Sequence, residues 1–115
     1  MFYMLTCFDL KPDITIEEFS RAIKKYEQHM RDKRLTRSMG PIGERQRDTI
    51  MDTDSERDHE YYFISTFDDR AQCDQAVNYI LRHEEPGDSI HKEVYSRVQN
   101  QIFICWQDIY VRNCK

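Results

Sequence analysis

Residues 61–67 read Tyr-Tyr-Phe-Ile-Ser-Thr-Phe, and Asp68 and Asp69 follow at once. Aromatic and β-branched side chains at that density favour a strand. A strand with one wet face alternates apolar and polar residues, whereas this run is apolar on both faces. It is therefore read as a central strand with two covers. An aspartate directly after it can accept from the free N–H groups of a helix start, so the strand leads into a helix. Any fold for this chain must cover that strand twice.

Residues 2–9 form a second run that is apolar on both faces. Phe2, Met4, Thr6 and Phe8 share one side, and Tyr3, Leu5, Cys7 and Asp9 the other. Pro12 ends it. Thr15 and Glu18 then have the spacing of a capping box, with Ile14 placed to pack on Phe19 as a hydrophobic staple. The helix that follows carries one apolar stripe, Ile16, Phe19, Ile23, Tyr26 and Met30, and ends near Asp32 or Lys33. Residues 35–59 are polar and contain Gly40, Pro41 and Gly43. They read as a poor edge strand bent at 40–43, followed by a turn over 54–59.

After the central strand, Asp68 or Asp69 caps a second helix that runs to about Arg82. Cys73, Ala76, Val77, Ile80 and Leu81 form its inner stripe. Asp88 or Ser89 is expected to cap a short third helix bearing Ile90, Val94 and Val98. Residues 100–110 are the last strand and residues 111–115 a tail, so a single domain spans 1–110. The order is strand, helix, strand, strand, helix, helix, strand. It predicts an α+β fold, a ferredoxin-like split β-α-β with a four-stranded antiparallel sheet in the order 4-1-3-2.

Helices cover only one face of such a sheet. The other keeps a set of apolar side chains, with Tyr3, Cys7, Tyr62, Ile64 and Trp106 expected at a pocket or dimer face. A patch of that size calls for a cover. The cover expected is a second copy, packed sheet to sheet about a two-fold axis. Because both strand faces are apolar, the sequence does not decide which one looks toward the helices.

The net charge of −4 argues against a partner rich in phosphate. No apolar run approaches the length of a membrane span, and no basic segment precedes Asp9 as in a secretory signal. Cys7, Cys73, Cys105 and Cys114 lie far apart, without zinc-site spacing. Cys7, Cys73 and Cys105 read as reduced core residues of a cytoplasmic protein, and Cys114 as exposed in the tail.

The segment CFDLKPDITIEEFSRAIKKY, residues 7–26, resembles small uncharacterised bacterial proteins of the dimeric α+β barrel superfamily. That superfamily includes stress-responsive A/B barrel proteins and antibiotic-biosynthesis monooxygenases. The matching pieces are residues 8–12, Glu18-Phe19, Phe67-Asp68-Asp69 and residues 90–106; residues 40–59 match least. The resemblance implies a barrel built from two copies, with a small-molecule pocket between sheet and helices. Members of the superfamily include cofactor-free monooxygenases, haem degraders, lactone isomerases, polyketide cyclases and proteins of no known activity, so the fold alone implies no reaction.

General acid–base chemistry would need a His or Tyr with a hydrogen-bonding partner. His91, Asn100 and Tyr62 are the weak catalytic candidates. His29, His59 and His83 read as solvated residues at helix ends or turns. His83, Glu84, Glu85, His91 and Glu93 match no metal-ligand spacing, and no cofactor is expected. Tyr61 and Phe63 fall where an RNA-recognition strand places rings, but His59-Glu60 stands where that strand carries a basic residue and glycine. The expected function is a homodimer that binds a small hydrophobic molecule or is purely structural, without nucleic acid or membrane partner. The alternative is a cofactor-free monooxygenase- or cyclase-like enzyme acting on a hydrophobic or aromatic metabolite.

Overall fold

The aromatic run forms strand Tyr61–Phe67, antiparallel to strand Phe2–Leu10, with Phe2 opposite Phe67 and Phe8 opposite Tyr61. This computed structural model describes residues 1–111. In chain order its elements are β1 (Phe2–Leu10), α1 (Ile16–Asp32), β2 (Ser38–Met39), β3 (Gly43–Glu44), β4 (Tyr61–Phe67), α2 (Arg70–Leu81), α3 (Gly87–Tyr95) and β5 (Val98–Gln107). The sheet order is β2-β4-β1-β5, with β3 also on β4. That is the expected 4-1-3-2 arrangement with both apolar strands inside. The expected bent edge strand is two short pieces, because Gly40 takes a φ of 107° between them.

α1 starts as its punctuation predicts: the Thr15 hydroxyl accepts from the Glu18 N–H at 3.2 Å. Its stripe buries Phe19, Ile23, Tyr26 and Met30 against the sheet. α2 is capped by Asp69, whose carboxylate accepts from the Gln72 N–H at 2.8 Å. Its inner face differs from the expected one. Cys73, Ala76 and Tyr79 are buried, while Val77 and Leu81 are 47% and 63% exposed. Tyr79 takes the inward position because its hydroxyl meets His29 Nε2 at 2.7 Å and its ring lies over Gly87, where a Cβ would collide with it.

α3 begins earlier than expected. Its N-cap is Pro86, without a side-chain cap, because Asp88 turns to Lys92 at 2.8 Å and His83 at 2.9 Å. The last strand is likewise shifted, to Val98–Gln107. Of the expected tail, Val111 is exposed; residues 112–115, with Cys114, lie outside the described residues. The core centres on Phe8, Phe19 and Phe63, with ring centroids 4.6 to 6.3 Å apart. Among the described residues, no helix is long and apolar enough to cross a membrane.

Candidate functional site

The strand register sorts the sheet into two faces. Phe8, Phe63, Ser65 and Phe67 point to the helices and are buried. The other face is a grid of three cross-strand rows. They are Thr66–Tyr3–Trp106, Ile64–Leu5–Ile104 and Tyr62–Cys7–Ile102. All five residues expected at a pocket or dimer face, Tyr3, Cys7, Tyr62, Ile64 and Trp106, fall on it. Tyr3 and Trp106 stack at 5.2 Å, and the Tyr3 hydroxyl donates to Asp108 at 3.0 Å. Tyr62 lies flat over Gly43, where a Cβ would collide with its ring. Tyr62 and Trp106 are 42% and 41% exposed, large values for rings inside a sheet.

One border of this open face is a loop, residues 45–59, held by ionic contacts. Arg45 grips Asp52 through two hydrogen bonds of 2.7 and 2.8 Å and also donates to the carbonyls of Asp54 and Arg57. Arg45 holds the Asp52 carboxyl below the usual carboxylate range. The loop tip is apolar, with Ile50 and Met51 almost fully exposed beside the sheet. The sequence predicts only a turn here, since Arg45 and Asp52 in a polar stretch give no pattern until the chain brings them together.

On the helix side a cavity of about 530 Å³ lies between the sheet and α1, α2 and α3. Its wall is mainly apolar and includes Met4, Met30, Met39 and Phe67. Methionine side chains adapt to the shape of what they contact. One side is a cluster of rings: His91 packs edge-on against Tyr26 at 5.6 Å and against Tyr95 at 4.7 Å, and Tyr95 meets Phe103 at 6.1 Å. Val77, Leu81 and Phe103 line the cavity as exposed apolar residues.

Of the three catalytic candidates, His91 alone lines this cavity. Tyr62 is on the opposite sheet face. Asn100 sits at the end of β5 with a φ of 59°, beside the β1 bulge, and its amide donates to Asp9 at 3.2 Å. The three therefore occupy three separate places. His29 was read as solvated but is tied to Tyr79. His59 places Nε2 at 2.6 Å from the Asn100 carbonyl, to which it must donate, and its buried Nδ1 has no partner among the described residues. The imagined metal cluster does not assemble: His83 faces Asp88 and His91 faces the tyrosines. Among the described residues, no group of three His, Cys, Asp or Glu is placed to hold a metal ion.

Burial lowers the proton affinity of His91; Asp88 opposes this and His83 adds to it. Burial also lowers that of His29, with Lys33 adding and Asp32 opposing. Burial pushes the Tyr26 hydroxyl far up and the Tyr95 hydroxyl to about 12, the latter opposed by the Thr6 hydroxyl. Of the thiols expected in the core only Cys73 is buried; Cys7 is half-buried and Cys105 exposed, because its side chain lies on an outer strand of the sheet. Burial, partial for Cys7 and Cys105, raises all three, which leaves them poor nucleophiles.

The histidines fix the sign of a pH effect. An imidazole whose folded pKa is depressed binds a proton more readily in the unfolded chain, so stability falls as pH drops through about 6.5 and below. The depressed carboxyls of Asp52, Asp54 and Asp88 lose their contribution only below about pH 4. Thermal unfolding midpoints should therefore fall between pH 7.5 and pH 5. Replacing both His29 and His91 by Gln should flatten that slope; an unchanged slope would contradict their burial as neutral rings.

No family model matches the chain, and no curated protein matches it. Solved structures do. A protein of Arabidopsis thaliana superposes with a TM-score of 0.72 at 12% identity, over 96% of this chain and 98% of that one. The fold is the ferredoxin-like α+β fold. A dimeric ferredoxin-like protein of unknown function from Jannaschia sp. matches at a TM-score of 0.61 and 15% identity, over 93% of this chain and 98% of its own. SnoaB, a cofactor-independent oxygenase from Streptomyces nogalater, matches at 0.64 and 10%, over 97% and 96%. Identities this low carry the architecture and not the chemistry.

Proposed function

We propose that the chain is a homodimeric binding protein for a small, mainly apolar molecule, held between the sheet and the helices of each protomer. The cavity of about 530 Å³ carries this reading, since its size and apolar wall are those of a small-molecule site. The open sheet face supports the dimer. A soluble protomer would leave that face exposed, and structural neighbours described as dimeric share its architecture. We place the protein in the cytoplasm, as fits its free thiols Cys7, Cys73 and Cys105. Binding is preferred to catalysis because His91, Asn100 and Tyr62 do not converge on one point, as an acid–base site requires.

The neutral dye N-phenyl-1-naphthylamine should bind at one site per chain with a rise in fluorescence. Ala76→Phe, which fills the cavity from α2, should weaken that binding at least tenfold. Val77→Trp, at a half-exposed position on the lining, does the same with less demand on packing. Full-strength binding in both folded variants would contradict the site.

A further inference from the structure

We infer that the molecule held in this cavity carries no net charge, and that it offers a single polar group to the side where His91, Tyr26 and Tyr95 meet. The inference rests on the binding reading above and narrows it to a ligand class. Among the described residues the lining contains no Lys, Arg, Asp or Glu. An ionised ligand would leave water without meeting a counter-charge, and an unpaired buried charge is among the most costly things a protein can hold. Asp88, the carboxylate nearest the ring cluster in its effect, is already engaged by Lys92 and His83 and offers a cation no free partner.

A wholly apolar occupant fits less well. It would cover the His91 imidazole and the Tyr95 hydroxyl of the lining without offering either a hydrogen bond, and on its other side Tyr95 has only the buried Thr6 hydroxyl. Buried polar groups without partners are rare in folded proteins. A hydroxyl or carbonyl on the ligand can join Tyr95 and the neutral His91 imidazole, either of which can donate a hydrogen bond. The flexible methionines of the lining, Met4, Met30 and Met39, would then take the apolar body. A neutral aromatic or aliphatic alcohol, phenol or ketone meets these conditions.

The test displaces N-phenyl-1-naphthylamine from the full-length protein at neutral pH with three probes of one ring frame. These are uncharged 2-naphthol, anionic 2-naphthoate and cationic 2-naphthylmethylammonium. The expected result is that 2-naphthol competes at least about tenfold more strongly than either ion. Val77→Lys brings an ammonium to the lining from a half-exposed position. It should shift the preference severalfold toward 2-naphthoate without unfolding the chain. If either ion competes as well as 2-naphthol in the native protein, the ligand class is wrong and the cavity stands. If the dye does not bind, or Val77→Lys leaves all three probes unmoved, the cavity reading itself fails and takes this inference with it.

Discussion

Ile64→Asp is expected to convert the proposed homodimer into a folded monomer at micromolar concentration. Ile64 lies in the middle row of the open face, beside Leu5, with Ile104 beyond. In a sheet-to-sheet dimer the substitution buries an unpaired carboxylate in each copy, and two-fold symmetry repeats the fault across the interface. Breaking an interface in this way costs several kcal/mol, enough to move a dissociation constant by several orders of magnitude. The protomer should keep its fold, because Ile64 points away from the Phe8–Phe19–Phe63 core. Sedimentation and far-ultraviolet dichroism measure the two effects separately. A dimer that persists in Ile64→Asp would move the interface off this face.

Phe63→Ala is expected to have the opposite signature. Phe63 is 1% exposed and touches both Phe8 and Phe19. Truncating a buried phenylalanine removes its transfer energy and leaves a cavity, at a cost of about 3–5 kcal/mol. That is a large part of the roughly 5–15 kcal/mol that holds an ordinary domain together. Urea unfolding of the protomer, in an Ile64→Asp background that removes dimer linkage, gives the value directly. A loss under about 1 kcal/mol would mean that the ring is not where the core places it. Adjacent residues of one aromatic run thus fail in different ways, the odd positions by unfolding and the even ones by dissociation.

The two-cover requirement of that run was legible because it depends on local composition alone. So was the Thr15 cap, which needs only residues three apart, and a cap at Asp68 or Asp69, of which the structure selects Asp69. The order of the strands followed from the succession of elements and the handedness of their crossovers, and the polarity of β2 and β3 agrees with their place at the edge. The face assignment was not legible: Phe63 and Ile64 are equally apolar, and only the register with β1 and β5 separates them. The inner stripe of α2 was misplaced for a related reason. Tyr79 is drawn in by His29 and Gly87, a partner 50 positions away and a glycine with no side chain to read. The candidate site was half visible. His91 could be singled out beside Ile90, but Tyr26 and Tyr95 meet it only after α1 and α3 pack together. Asn100 looked like a polar group for chemistry and is instead a positive-φ residue tied to Asp9.

The measurement closest to the central claim is the mass of the native chain in solution, by light scattering at low micromolar concentration. One chain weighs 14.0 kDa, and the account predicts about 28 kDa, two copies closed over their apolar sheet faces. A mass of one chain would leave Tyr3, Tyr62, Ile64 and Trp106 open to water and would contradict the dimer on which this reading of the protein is built.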